Sequence, residues 1–233
     1  MIMYKRTDGR KNDETRPIKM KVGVLKHADG SALVSIGKTM ALAAVYGPRE
    51  LNPRHMQESD RAIVQCNYTM APFSTKERVR PGPSRRSTEI SKVTREALEP
   101  ALFLRDFPKT TIDVYIVILQ ANAGTRTAGI NAASLALADA GIQMRDLVTS
   151  IAAGKIEGHY MLDLNGDEEE ETDCDLPIAY MPREKKFTLI QMDGNITKDD
   201  MKQVIKTAVK GCETLYEHQR KALREKWSKE GFE

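Results

Sequence analysis

The sequence predicts an α/β (α+β) architecture in which mixed sheets are packed with helices, and three observations predict it. Residues 111–120, TIDVYIVILQ, are almost all β-branched or apolar, and after a short turn the small-residue run 128–140 reads as a helix packed closely on that buried strand. Residues 18–46 alternate apolar and polar positions around Asp29-Gly30 and Gly37, the pattern of a meander of antiparallel strands. A long amphipathic stretch, 197–229, closes the chain after a set of short strands.

Taken in order, residues 1–16 form a polar tail expected to be ordered only by contact with something else. Ile18, Met20, Val22 and Val24 alternate with Lys19, Lys21 and Gly23, and strands at 32–36 and 39–46 complete the meander. Residues 47–61, GPRELNPRHMQESDR, are polar and carry Pro48 and Pro53, which is loop composition, before 63–70 returns as a strand. An irregular basic segment, 72–86, leads into a helix with Ile90, Val93, Ala97 and Leu98 on one face, kinked or restarted at Pro100. After the central strand and helix, which stops at Gly141, short strands are expected at 148–154 and 160–164. Residues 165–175 hold seven acids among the nine from Asp167 to Asp175 and are expected to be an exposed loop, because so many like charges resist burial together. Strands at 176–181 and 187–192 follow. Thr197 and Asp200 form a capping-box-like start to the last helix, whose stripe of Met201, Ile205, Val209, Cys212 and Leu215 is core rather than cofactor contact and whose end, 217–233, is basic.

A chain of 233 residues with 40% hydrophobic and 30% charged side chains can bury a substantial core, which excludes a disordered protein. It could be one large domain or two small ones. No apolar run approaches the roughly 20 residues needed to span a bilayer, and MIMYKRTDGRK lacks the apolar centre of a signal peptide. A cytoplasmic protein without a membrane partner is expected. Cys66, Cys174 and Cys212 are scattered, and His27, His55, His159 and His218 lack metal-site spacing, so neither a disulfide framework nor a zinc site is indicated. A net charge of +3 decides nothing about nucleic acid, so the distribution of charge must.

Between the central strand and helix lies Asn122-Ala123-Gly124-Thr125-Arg126. Gly124 lets the backbone come close to a ligand, and free N–H groups, the helix dipole, a hydroxyl and a guanidinium converge there, as an oxyanion pocket requires. The plainer alternative is a tight turn with Thr125 as N-cap and Arg126 in solvent; the triplet lacks the spacing and lysine of a P-loop. Segment 72–86 sets Lys76, Arg78, Arg80, Arg85 and Arg86 against Glu77 alone, placing Arg85 and Arg86 at a second loop-to-helix junction where guanidinium forks can grip phosphate. The alternative is a solvated charge run, as it is for Arg49, Arg54, Arg61 and His55 in the preceding loop. Asp175 adjoins the apolar strand LPIAYM, so its carboxylate can be fixed as an acid or a metal ligand, or can merely solubilise with its neighbours. Together, two basic junctions and one carboxylate suit a free phosphate held against a nucleic-acid phosphodiester.

Three stretches in this order, SRRSTEISKVTREALEP, LQANAGTRTAGINAASLALADAGIQMRDL and LDLNGDEEEETDCDLPIAYMP, resemble the RNase PH family of phosphate-dependent 3′→5′ exoribonucleases. KRTDGRKNDETRPIKMKVGVLKHADGSALVSIGKTMALAAVYGPRE, NPRH and APFSTKERVRPGPSRR are most similar to its branch of catalytic ring subunits of archaeal exosomes, and the resemblance spans residues 6–216. It implies a single RNase PH-type domain over 1–233 with a duplicated β/α layout. It also implies phosphorolysis of single-stranded RNA with inorganic phosphate as co-substrate, addition of 3′ tails in reverse, and a divalent metal (Mg or Mn) at an unknown place, with Asp175 a candidate ligand. This activity is grouped with the nucleases and hydrolases. The implied partners are a paralogous inactive ring subunit in a trimer of heterodimers and RNA-binding cap subunits.

Position by position, the resemblance gives phosphate binding to Gly124, Thr125 and Arg126, RNA binding to Arg85 and Arg86 near the scissile bond, and to Arg54 in a pore-lining loop. It gives catalysis to Asp175, with Asp173 a rival because the acidic run blurs the alignment. Bacterial relatives have an aspartate six residues before the catalytic one, where this chain has Glu169. Two further readings stand beside the first. One is a bacterial-type RNase PH trimming tRNA 3′ ends; the other is a non-catalytic ring subunit that binds RNA and partners, against which Arg86, Arg126 and Asp175 count together.

Overall fold

The computed structural model describes residues 6–230, with the side chains of residues 229 and 230 left aside. Two five-stranded sheets make up the β structure. The first contains β1 (Ile18–Val22), β2 (Gly30–Ile36), β3 (Thr39–Glu50), β4 (Ile63–Met70) and β5 (Thr110–Gln120), in the order β1-β2-β3-β5-β4. All its pairings are antiparallel except β4 with β5. A parallel pair needs a crossover, and the chain between those strands supplies α1 (Arg85–Leu98).

The second sheet contains β6 (Thr149–Ile156), β7 (His159–Leu162), β8 (Cys174–Met181), β9 (Lys186–Ile190) and β10 (Asp193–Gly194), with β8 central and β9 and β10 both paired to it. Three further helices are α2 (Thr125–Asp139), α3 (Gly166–Glu171) and α4 (Lys198–Glu230).

Helix α2 lies between the sheets, touching β2, β3 and β5 on one side and β6 and β8 on the other. Its small residues make that position available: a Cβ on Gly129 would come within 3.2 Å of Ile116, and one on Gly30 of β2 would meet the Ala136 carbonyl at 2.2 Å. One apolar cluster therefore runs continuously from Val34, Ile116 and Ile118 through Ile130 and Leu135 to Ile151 and Ile178. Asn131, one of several buried polar residues on α2, is fully buried. Its amide donates to the carbonyls of Thr127 (2.9 Å) and Ser150 (2.6 Å), and its oxygen accepts from Ser150 N–H (3.0 Å) and Gln219 (3.1 Å), tying α2 to β6 and α4.

Two expectations need correction. Residues 165–175 are not an exposed loop throughout: Asn165 caps α3 by accepting from Asp167 and Glu168 N–H, and acids in the first turn suit the positive helix end. Glu168 is 1% exposed, its charge met by the equally buried Arg6 through two bonds of 2.8 and 2.7 Å. The polar tail, correspondingly, is ordered by the chain itself over residues 6–16. Arg6 also donates to the carbonyls of Leu162 and Asp163, and Arg16 pairs with Asp163. Residues 1–5 of that expected tail lie outside the described residues, as do 231–233 of the basic end.

Smaller differences have local causes. β3 continues past Tyr46 because, beyond a register shift, Arg49 and Glu50 still pair with Thr111 and Thr110. Helix α2 starts at Thr125 rather than 128, and β10 went unforeseen because two residues carry no periodicity.

Replacing Asn131 by Leu would strand the Ser150 backbone groups in an apolar interior and remove one of the two bonds the Gln219 amide donates. The expected loss is about 3 kcal/mol of unfolding free energy, read from chemical denaturation of the variant beside the parent chain.

Candidate active site

A cleft of about 1070 Å³ opens where the N-terminal ends of α1 and α2 face α3, β8 and β10. Arg86, Glu89, Gly124, Thr125 and Arg126 line it from α1 and α2; Glu169, Glu170, Asp175 and Asp193 line it from α3, β8 and β10, and Gln191, just after β9, reaches Glu89.

The turn before α2 carries two successive left-handed residues, Ala123 (φ 59°) and Gly124 (φ 62°). Gly124 is the N-cap and brings no side chain, so the first-turn amides of α2 have no side-chain acceptor. Those amides and the helix dipole make the start of α2 an anion-binding end. Ala123 has no such exemption; a left-handed alanine costs about 1–2 kcal/mol, and Thr39 holds it there, its hydroxyl lying 2.7 Å from the Ala123 carbonyl and 2.8 Å from that of Asn122.

Arg126 lies one residue into α2. Its Nη2 is 3.3 Å from Glu89 Oε1 on α1, the same oxygen that accepts from Gln191 Nε2 at 3.3 Å. Arg126 Nε and Gln191 Oε1 are both buried with no hydrogen-bond partner. A buried guanidinium N–H without an acceptor is what an anion site looks like when its anion is a ligand.

Asp175, the second residue of β8, stands across the cleft with Oδ1 buried and unpartnered. Burial above all, then the negative charge of Glu169 nearby, push its carboxyl up to about 7; Arg126 opposes the rise, Asp193 adds to it, and the Leu176 N–H opposes it. Asp175 therefore carries a proton near neutral pH and can give it up there, as a general acid must. Asp173 is exposed and does not line the cleft.

Of the residues expected from the sequence, the fold brings together Arg86, Gly124, Thr125, Arg126 and Asp175. Arg85 is not among them. Consecutive helical residues point roughly 100° apart, so Arg85 faces outward beside Pro83, Thr88 and Lys92. Arg54 sits on a 3-10 turn, Arg54–Met56, highly exposed and 3.7 Å from Glu50, away from the cleft lining. Glu89, Glu170, Gln191 and Asp193 escaped the sequence reading. Only Glu89 had a signal, since it follows Arg86 by three residues on one helix and so shares its face. Among the described residues, no group of three or more His, Cys, Asp or Glu side chains is placed to hold a metal ion.

Two models of the 3′ exoribonuclease family match the chain, domain 1 over residues 14–143 and domain 2 over residues 146–211. The chain is 61% identical over 225 residues to the exosome complex component Rrp41 of Thermococcus kodakarensis, covering 97% of this chain and 90% of that one. It is 58% identical over 222 residues to Rrp41 of Methanopyrus kandleri, covering 95% and 93%. Among solved structures, rice Rrp46 superposes with a TM-score of 0.85 at 24% identity, covering 94% of this chain and all of that one. A chain of an Archaeoglobus fulgidus exosome with RNA bound to the active site gives 0.79 at 24% identity, covering 91% and 92%. At such identities these structures share the fold. The matched models together span the cleft and both its walls, and the chain belongs to the RNase PH family of 3′ exoribonucleases.

Proposed function

We propose that this chain is the catalytic ring subunit of an archaeal exosome, degrading single-stranded RNA processively from its 3′ end by phosphorolysis and adding heteropolymeric tails in reverse. The observation that carries the reading is the opposition, across one cleft, of an anion-binding helix end with Arg126 to a carboxyl raised to about 7 at Asp175. In the same reading the chain alternates with an inactive paralogue in a ring of three heterodimers, carries RNA-binding cap subunits, and works in the cytoplasm.

Inorganic phosphate binds at the start of α2, taking the amides, the Thr125 hydroxyl and the Arg126 guanidinium, and displacing Glu89 as the partner of Arg126. Arg86 neutralises the terminal phosphodiester of the RNA, so that two anions reach reacting distance. A phosphate oxygen attacks the RNA phosphorus and the bond to the 3′ oxygen breaks. Asp175 gives its proton to that departing oxygen. The products are a nucleoside diphosphate and an RNA shorter by one residue. In reverse, ionised Asp175 takes the proton back. Water attacks nothing here, so the expected grouping with the hydrolases is incorrect: the enzyme is a phosphorolytic nucleotidyltransferase. A divalent cation, Mg²⁺ or Mn²⁺, would supply charge neutralisation beside the substrate phosphates, and no step above requires it.

The test of the whole reading is end-labelled single-stranded RNA incubated with and without phosphate. Nucleoside diphosphates released only with phosphate are expected; nucleoside monophosphates formed without it would overturn the proposal. Arg126→Glu is expected to lower phosphorolysis at least about 100-fold by replacing attraction with repulsion at the anion site, while the assembled complex keeps its mass. Normal phosphate-dependent activity in that variant would remove Arg126 from the site.

Asp175 makes the two directions respond oppositely to pH. Phosphorolysis needs the protonated form and should fall as pH rises through about 7, whereas tailing from nucleoside diphosphates needs the ionised form and should fall as pH drops through about 7. Rate profiles in both directions check this, and Asp175→Ala should abolish both activities.

The arginines divide by position. Arg86→Ala should slow turnover and weaken RNA binding equally for all sequences, reducing the salt slope by about 1; Arg85→Ala and Arg54→Ala, outside the cleft, should weaken binding alone. Binding curves at several salt concentrations with single-turnover rates would show the split, and an unchanged slope for Arg86→Ala would take it off the RNA path.

A further inference from the structure

We propose that Arg16, clamped by Asp163, is a positioning residue for the phosphate site, setting the backbone of Asn122, Ala123 and Gly124 from behind. The inference rests on the phosphate reading above and deepens it. Arg16 is 5% exposed and does not line the cleft, so it reaches the substrate only through the turn.

The guanidinium is divided between two tasks. Nε and Nη2 grip the Asp163 carboxylate at 3.0 and 2.6 Å, and the backbone N–H of Arg16 adds a third bond to the same carboxylate at 2.7 Å. Nη1 is left to donate to the Asn122 carbonyl at 2.5 Å. The fork is thus fixed in orientation before it meets the turn.

The Asn122 carbonyl needs that donor. Thr39 Oγ1 lies near the carbonyls of both Asn122 and Ala123, yet a hydroxyl has one proton to give. When Thr39 serves Ala123, Arg16 alone serves Asn122. Arg16 also fills the space beside Gly124, where a Cβ would sit 3.1 Å from Nη2. Two left-handed residues in succession, one of them alanine, do not hold that shape unaided. The clamp crosses the molecule, since Asp163 follows β7 of the second sheet while Asn122 ends the path from β5 of the first. The aim of the α2 amides is thereby referenced to the same sheet that carries Asp175.

Lysine cannot replace this arrangement, because a single ammonium does not span the carboxylate and the carbonyl as a planar fork does. Arg16→Lys keeps the buried charge balanced and should fold. Arg16→Met with Asp163→Asn guards against a folding failure: no charge is left buried alone, and asparagine suits the left-handed φ of 55° at position 163.

The experiment is steady-state phosphorolysis by the full chain in its active assembly, with KM measured separately for phosphate and for RNA. Both variants should raise the phosphate KM about tenfold, as small misplacements of a positioned group do, with the RNA KM and the melting temperature of the Lys variant close to the parent. Equal rises in both KM values would signify general loosening and overturn the inference. Arg126→Met is measured beside them. If it raises the phosphate KM while both Arg16 variants stay within about twofold of the parent, the positioning role alone falls. If Arg126→Met leaves the phosphate KM unchanged, the phosphate site is misplaced and the inference falls with it.

Discussion

The helix between the sheets is the constraint on which the other features depend. α2 can lie there only if its residues are small and its neighbours make room, and Gly30 and Gly129 sit where any side chain would collide with the Ala136 carbonyl or crowd Ile116. With both sheets against it, α2 cannot slide or tilt without opening the core on two sides, since interiors are close-packed. Asn131 then fixes its rotation through bonds to β6 and α4. The direction in which the first-turn amides point is therefore a property of the whole core, and a loop alone would not hold it so well.

The cleft balances unlike charges at short range. Arg86 and Arg126 bring positive charge to one wall, while Glu169, Glu170, Asp175 and Asp193 crowd the other. Of the four, Asp175 is the one whose carboxyl is pushed up to about 7, by burial first and then by the charge of Glu169. The acidic run, which in sequence looks like a solubilising loop, thus shapes the electrostatics of the cleft. Its Glu169 helps hold a proton on Asp175. Glu89 meets Arg126 from α1, at a site exposed enough for the pair to be weak and exchangeable.

What the sequence made legible follows from what is local. The alternation in 18–24, the strand at 32–36, the apolar run at 111–120 and the match of 63–70 to β4 are short-range patterns, and the strands lie within two residues of where they were expected. The junction at Gly124–Arg126 was legible because a turn, a glycine and a helix start are adjacent in the chain. Glu168 was not, since its partner Arg6 lies 162 residues away and nothing local distinguishes it from Glu169 or Glu170. Arg85 and Arg86 were indistinguishable in a string of basic residues, and only helical geometry separates the one that faces the cleft.

The N-terminal arginines show why such distant pairs matter more for geometry than for stability. A buried ion pair such as Arg6 with Glu168 gives up two hydration shells, and its net contribution to folding is small even when its bonds are short. What it does supply is direction, because a guanidinium fork and a carboxylate fit in few orientations. Glu168 belongs to α3, the helix that presents Glu169 and Glu170 to the cleft, and Asp163, held by Arg16, lies just ahead of it. One short segment, residues 6–16, consequently holds the acidic wall through Arg6 and the turn before α2 through Arg16. The two walls of the cleft come from different halves of the chain, and a third piece of sequence, belonging to neither wall, sets the distance between them.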